Sequence, residues 1–294
     1  MTQSLKCSTF ACAVVLFLSV AHPQAAWAQS PSSVSDVYSS ATARGVVGVS
    51  MAFARRSGSS ALGMSLTETG AWHLSDSFRI DYAWQLPGAA FAHPTAVMFR
   101  IGNPMLGAHY YSVSDRIAFR IGTISAFPVA RLNDTTSAVD DGTTSREHEV
   151  HALAQLGQGA WDAFLSLPST WTLGVPARLE LPLEPAIRLA FEAGVFAALC
   201  MTQESCGGHR MLAQFGTSFD YTWRALRIGV RAHLAASLSE TASTAQLAAE
   251  PFVEYVAGSV AYRVGWQLNF NPPGGVSFGD RGVTAVTVGL RAAL

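Results

Sequence analysis

Of the 19 basic residues in this 294-residue chain only Lys6 is a lysine, and charged residues of both signs make up just 13%. Soluble domains carry about 25%. The formal charge is −1, so no positive field exists to draw in nucleic acid. The shortage of charge does not mean disorder: 49% of the residues are hydrophobic, and disorder needs the opposite balance. Beyond residue 28 no run reaches the roughly 20 apolar residues that a membrane-crossing helix needs; the best stretch, 186–199, is interrupted by Arg188 and Glu192. Cysteine is scarce, with 4 in the chain. Cys200 and Cys206 share one polar, glycine-containing segment and are expected to bridge locally, which export permits. No neighbouring His or second Cys pair makes them a zinc set.

What is present begins with an address. Lys6 supplies a positive start, Phe10 to Ala21 is apolar apart from Ser19, and Ala26-Trp27-Ala28 is a small-x-small cleavage site before Gln29. Residues 1–28 read as a secretory signal peptide. The apolar core is too short for a membrane anchor, and Cys7 and Cys12 are not placed for a lipid anchor. Residues 29–43 are then a periplasmic N-terminal segment.

From Arg44 onward the dominant period is two. Phe78, Ile80, Tyr82 and Trp84 alternate with Arg79, Asp81 and Ala83; Val260, Tyr262, Val264, Trp266, Leu268 and Phe270 alternate with Ala261, Arg263, Gly265, Gln267 and Asn269. This is the pattern of strands with two distinct faces. One face is aromatic and aliphatic. The other is Arg, Gly, Ala, Ser and Gln without lysine, which suits a confined, wet interior better than an open soluble surface. Apolar-out, polar-in alternation is that of a transmembrane barrel, and closure follows because an open sheet edge cannot face lipid.

Twelve strands are expected (ten to fourteen), at about 44–56, 59–70, 74–86, 94–113, 115–128, 171–181, 183–198, 207–220, 223–238, 247–256, 258–271 and 282–294. Together they make 44–294 an all-β, closed, antiparallel up-and-down barrel. The fourth strand contains Asn103-Pro104 and is expected to kink or bulge. Connections after the second, fourth, sixth, eighth and tenth strands are short. Those after the fifth, seventh, ninth and eleventh are long, as external loops of outer-membrane barrels are; the one after the third is intermediate, and a tight Ser57-Gly58 turn after the first breaks the rule. The longest loop, 129–170, either folds over or into the mouth, where it is expected to limit access, or stands outside; it holds a helical stretch at about 146–156, where Thr144 precedes Glu147 at capping-box spacing and Val150, Leu153, Ala154 and Trp161 fall near helical period.

Alternation sends Arg79, Asp81, Arg100, Arg116, Arg120, Arg178, Glu180, Arg188, Glu192, Arg227, Arg231, His233 and Arg263 inward. Two readings follow. Ringed arginines make an anion-favouring pore, or arginine–carboxylate pairs zip a narrow interior shut. Tyr82, Trp84, Tyr110, Tyr111, Trp223, Tyr262 and Trp266 read as lipid-facing or interfacial residues. No catalytic set emerges: His93, His109 and His233 are scattered, and no nucleophile elbow occurs. Glu147-His148-Glu149-Val150-His151 differs from the zinc motif HExxH in its His spacing, and Asp140-Asp141-Gly142 offers too few oxygens for calcium. No metal, cofactor or enzymatic activity is expected.

Gly102-Asn103-Pro104-Met105-Leu106-Gly107-Ala108-His109-Tyr110, with Leu173–Arg178 and Asn269-Phe270-Asn271-Pro272 in similar placement, resembles a pattern in uncharacterised porin-like outer-membrane barrels of myxobacterial type. The resemblance spans about 44–294. It implies a Gram-negative outer-membrane barrel, a porin-like or small-hydrophobe channel, with outer-membrane lipid and the barrel-assembly machinery as partners. The terminus Leu290-Arg291-Ala292-Ala293-Leu294 departs from the usual final aromatic. The expected function is passive passage of small solutes. The rivals are a non-conducting surface or structural barrel plugged by its own charges, and a secreted soluble β-sandwich binding module.

Overall fold

The computed structural model describes residues 45–57, 61–92, 95–114, 117–130, 143–202, 208–238, 245–271, 277, 279 and 282–293. The expected leader 1–28, the segment 29–43, and His93, Arg116, Asp140, Asp141, Gly142 and Cys206 lie outside the described residues. Cys200 is disulfide-bonded.

The strands are β1 Gly45–Arg56, β2 Ala61–His73, β3 Phe78–Ala92, β4 Thr95–Phe99, β5 Met105–Val113, β6 Ala118–Ala126, β7 Thr170–Glu184, β8 Ile187–Cys200, β9 Arg210–Trp223, β10 Leu226–Ser237, β11 Ala245–Ala257, β12 Val260–Asn269 and β13 Val283–Ala293. Neighbours pair antiparallel around the ring, and β1 closes on β13 with Val46 opposite Ala293. Both β4 and β5 pair with β3, Phe99 opposite Gly88 and Ala108 opposite Ile80, so they are two halves of one stave and the barrel has twelve.

The break between those halves is chemical. Pro104 has no N–H to give a ladder, and the Asn103 N–H turns inward to the carbonyl of Leu165 at 2.6 Å. The outward set accordingly shifts from Val97, Phe99 and Ile101 to Leu106 and Tyr110. A bulge of this kind re-aims every following side chain. It also corrects the expectation for Tyr111. That ring is buried, opposite Arg120 on β6, and points inward.

The outer wall is mainly apolar, with Glu68 exposed on it where it accepts a hydrogen bond from the Tyr82 hydroxyl at 2.9 Å. Toward the short turns it carries Trp72, Phe78, Tyr110, Tyr221, Trp223, Tyr255 and Tyr262, all exposed. Trp72 stacks on Tyr82 at 5.1 Å and Phe78 meets Tyr110 edge-on at 5.8 Å. Such a belt belongs at a bilayer interface.

Inside, the barrel has two storeys. The storey toward the long loops is filled by the loop between β6 and β7. Its helix α1, Thr143–Leu156, is followed by a 3₁₀ turn at Ala163–Leu165. The helix begins three residues before its expected start. Val150 and Leu153 pack against Ala61, Ala89 and Phe91; Leu156 packs against Ala54, Val283 and Ala285. Phe164 and Leu165 join Ala83, Met105, Ile124, Ala126 and Phe196, with Phe164 stacked on Phe196 at 5.2 Å. Burying each such side chain contributes roughly 1.5–3 kcal/mol. Small wall residues make the room: a Cβ on Gly63 would lie 2.6 Å from the Leu153 Cβ. The Gly/Ala face expected to be wet is dry where the helix packs on it.

Candidate functional site

The lower storey, toward the short turns, is built from charge. Strands β7 to β11 carry a chain of alternating sign. Arg231 donates to Glu192 at 2.8 Å, and the other Glu192 oxygen accepts from Arg178. Arg178 also donates to Glu180 at 2.7 Å, and Arg188 bridges Glu180 at 3.4 Å and Asp220 at 3.0 Å. Arg227 then joins Asp220 at 2.7 Å to Glu254 at 3.4 Å. Two shorter groups stand beside this chain. Arg263 donates to Glu250 at 2.9 Å while Thr287 donates to its other oxygen at 2.8 Å. Arg79 donates to Asp81 at 2.7 Å, and His109 lies 2.9 Å from the second Asp81 oxygen. Flat contacts add to the pairs, with the Arg263 guanidinium 3.8 Å from the Phe252 ring centre. Glycines again give room: a Cβ on Gly265 would meet Glu250 Oε1 at 2.2 Å.

Of the residues expected to face inward, Arg79, Asp81, Arg120, Arg178, Glu180, Glu192, Arg227, Arg231, His233 and Arg263 are buried within the barrel, and Arg188 is half-buried in the same web. Arg100 stands apart from them. It lies in the β4–β5 break, its backbone N–H bonds Pro87 O at 2.8 Å, and its guanidinium reaches Phe99 O at 3.2 Å. Asp220, Glu250, Glu254 and Arg291 belong to the interior too and were not among the expected residues. Each alternates with apolar neighbours, Phe219 and Tyr221 about Asp220, Val253 and Tyr255 about Glu254, so the signal was present. Among the described residues the lower storey therefore holds eight arginines (79, 120, 178, 188, 227, 231, 263, 291) against six carboxylates (81, 180, 192, 220, 250, 254). The expected set was far more positive.

The plugging loop is fastened at its base by Asn103, which is fully buried. Its Nδ2 donates to Phe164 O at 2.9 Å and Leu167 O at 2.7 Å, and its Oδ1 accepts from the Ala130 N–H at 2.8 Å. One side chain thus ties the loop's entry to its exit. Across the barrel Asn269 Nδ2 donates to Leu156 O at 3.1 Å, and His233 Nε2 lies 3.2 Å from Gly159 O. Trp161 sits with its face on Arg231 at 4.6 Å and its edge toward His233 at 5.3 Å.

A cavity of about 30 Å³ lies between Arg120, Trp161, Asp162, Glu192 and Gln214, room for about one water. A larger recess of about 510 Å³ lies at the wall, lined by the outward Phe119, Leu179, Phe191, Phe215, Leu234 and Leu247 and also by Arg178, Glu192, Gly216 and His233. His151 is buried in the loop, and no group of His, Cys and acidic residues among the described residues is arranged to hold a metal.

Comparison with solved structures finds the same fold in several outer-membrane proteins. The KdgM porin superimposes with a TM-score of 0.50 at 8% identity, covering 84% of this chain and 99% of that one. The NanC porin gives 0.52 at 9%, covering 84% and 100%. An outer membrane channel from Pseudomonas putida F1 gives 0.52 at 9%, covering 85% and 94%. At such identities the likeness is one of fold: the chain has the fold of a porin-like outer-membrane barrel. No protein-family model matches the sequence, and no curated protein matches it.

Proposed function

We propose that this chain is a Gram-negative outer-membrane barrel of the porin type, shut at rest by its own loop, which passes small polar solutes when residues 143–169 leave the lumen. In this reading residues 1–28 are a cleaved export signal, outer-membrane lipid and the assembly machinery are its partners, and its role is passive rather than enzymatic. The observation that carries it is the wall behind the plug. Gln85, Thr172 and Gln267 are at most 2% exposed, and their side chains hold polar atoms without hydrogen-bond partners beneath an apolar loop. Each such atom costs about 1–3 kcal/mol. A permanently sealed core would be better served by apolar residues there; a wall that meets water in another state needs polar ones. The formal excess of arginine in the lower storey supports a mild preference for anions.

The rival reading, a non-conducting surface barrel, is favoured by the alternating chain from Arg231 to Glu254, which leaves its four arginines matched by four carboxylates. Planar-bilayer conductance separates the two, using protein shown to be folded by a heat-modifiable gel band. The wild type should be silent or rarely open, and a variant lacking residues 143–166 should give discrete steps. Silence from that folded deletion variant would establish the sealed barrel.

A further inference from the structure

The tip of the plug differs from the rest of it. Gly159, Ala160 and Asp162 all take left-handed backbone angles, with φ of 61°, 59° and 53°. Two of these are non-glycine residues, in a region that disfavours side chains. This contorted turn presses two adjacent side chains, an indole and a carboxylate, into the wall at the boundary between the storeys. Trp161 is 4% exposed and lies against Arg231 and His233. Its floor is Gly216, where a Cβ would stand 3.2 Å from the ring. Arg231 is held in place by Glu192 at 2.8 Å. Asp162 is 6% exposed and shares the 30 Å³ cavity with Arg120.

The Trp161 Nε1 is buried without a hydrogen-bond partner. The seat therefore recognises a flat ring through its face and edge and makes no use of the indole N–H. A guanidinium on a ring face is an attractive, geometrically defined contact, strongest away from water. Beside it Arg120 supplies a positive group where the plug places a carboxylate.

We propose that the Trp161–Asp162 tip is an internal stand-in for a solute, and that the wall seat formed by Gly216, Arg231, His233 and Arg120 binds aromatic carboxylates. The proposal rests on the reading that the loop is a removable occupant of the lumen. A tethered occupant competes at an effective concentration in the millimolar range, so the wild type takes a free aryl acid weakly. Emptying the seat removes the competitor. An aryl acid at high concentration, by taking the seat, holds the plug out.

The test is titration calorimetry on the folded full-length chain in detergent, with benzoate as probe and cyclohexanecarboxylate as the non-aromatic control of equal charge. Trp161→Ala should bind benzoate at least about tenfold more tightly than the wild type, with little gain for cyclohexanecarboxylate. Adding Arg231→Gln should abolish the gain. If Trp161→Ala does not fold, Trp161→Leu is used, which fills the seat without a flat ring and predicts a smaller gain of the same selectivity. Equal gains for the two acids, or none for benzoate in a folded variant, overturn the proposal. The readout is binding and not conductance, so a silent loop-deletion variant sinks the channel reading while leaving this result to stand or fall alone.

Discussion

Asn103→Leu isolates the fastening of the plug from everything else. Leucine keeps the branched four-atom skeleton and removes the hydrogen bonds to Phe164 O at 2.9 Å, to Leu167 O at 2.7 Å and from the Ala130 N–H at 2.8 Å, along with a longer one to Thr170 O at 3.4 Å. Each of the shorter three is worth about 1 kcal/mol net, and the stranded backbone groups add to the loss unless water reaches them. The total, about 3 kcal/mol, raises the detached population of the loop by about 100-fold, at 1.4 kcal/mol per factor of ten. The strand ladders do not pass through this side chain, so they should not respond. Hydrogen exchange read by mass spectrometry on folded protein measures both at once. Peptides within 143–169 should exchange about 100-fold faster, while peptides from β9 to β12 keep their wild-type rates. Unchanged exchange in the loop would show that its apolar packing alone holds it. Acceleration of loop and strands together would show that plug and barrel open as one unit, and the argument for a separable gate would fail.

Three further outcomes bear on the same architecture. Arg263→Ala leaves Glu250 without its 2.9 Å partner and Phe252 without its covering guanidinium; it should cost about 3 kcal/mol and lower the temperature at which the folded gel band converts, whereas Arg263→Met with Glu250→Leu should recover most of that loss. Gly102→Ala places a Cβ 2.5 Å from both Gln85 O and Leu165 O, backbone atoms of the wall and of the plug, and should cost about 1–3 kcal/mol, seen as faster exchange in the loop. Val264→Arg puts a charge on the outward face midway along β12, at about 2–4 kcal/mol if that face meets lipid; an unaltered yield of folded protein in bilayers would place the face elsewhere.

The barrel was legible in the sequence because every stave repeats the same physical choice. The expected strand at 258–271 is β12 at Val260–Asn269, and the expected strand at 282–294 is β13 at Val283–Ala293. Even the break in the fourth strand was marked by Asn103-Pro104. The consequence of that break was not, because alternation says which residues share a face but not where a bulge exchanges faces; Tyr111 changed sides for this reason. The four missed charges had the right neighbours. What hid Glu250 and Glu254 is the inward Phe252 between them, an aromatic on the polar face that makes the alternation of β11 look broken. In the structure that ring is where Arg263 lies. The fate of the loop was the hardest part to read. Its apolar positions, Val150, Leu153, Leu156, Trp161 and Phe164, are too few to announce a buried element, and a long loop is ordinarily a surface feature. The complementary signal lies elsewhere in the chain, in Ala52, Ala54, Ala61, Gly63, Ala89, Ala248 and Ala285, small inward residues on the storey that the loop fills.

The two storeys answer to different forces, and this decides what removing the plug can achieve. The upper filling is held by apolar packing on small wall residues and by hydrogen bonds at Asn103 and Asn269, contacts that end where the loop ends. The lower web links strands β7 to β11 to one another through Arg231–Glu192, Arg188–Glu180, Arg188–Asp220 and Arg227–Glu254, and Arg263 to Glu250 joins β12 to it. In the proposed gating, withdrawal of the loop would leave these strand-to-strand pairs in place. The two meet where Arg231 faces both the Trp161 ring and the Glu192 carboxylate and where Asp162 shares a small cavity with Arg120. Once the ring departs, water reaches the Arg231 guanidinium, and the Arg231–Glu192 pair weakens as the local dielectric rises. If the loop leaves the lumen as proposed, Arg231 is a point at which its departure would reach the charge web beneath it.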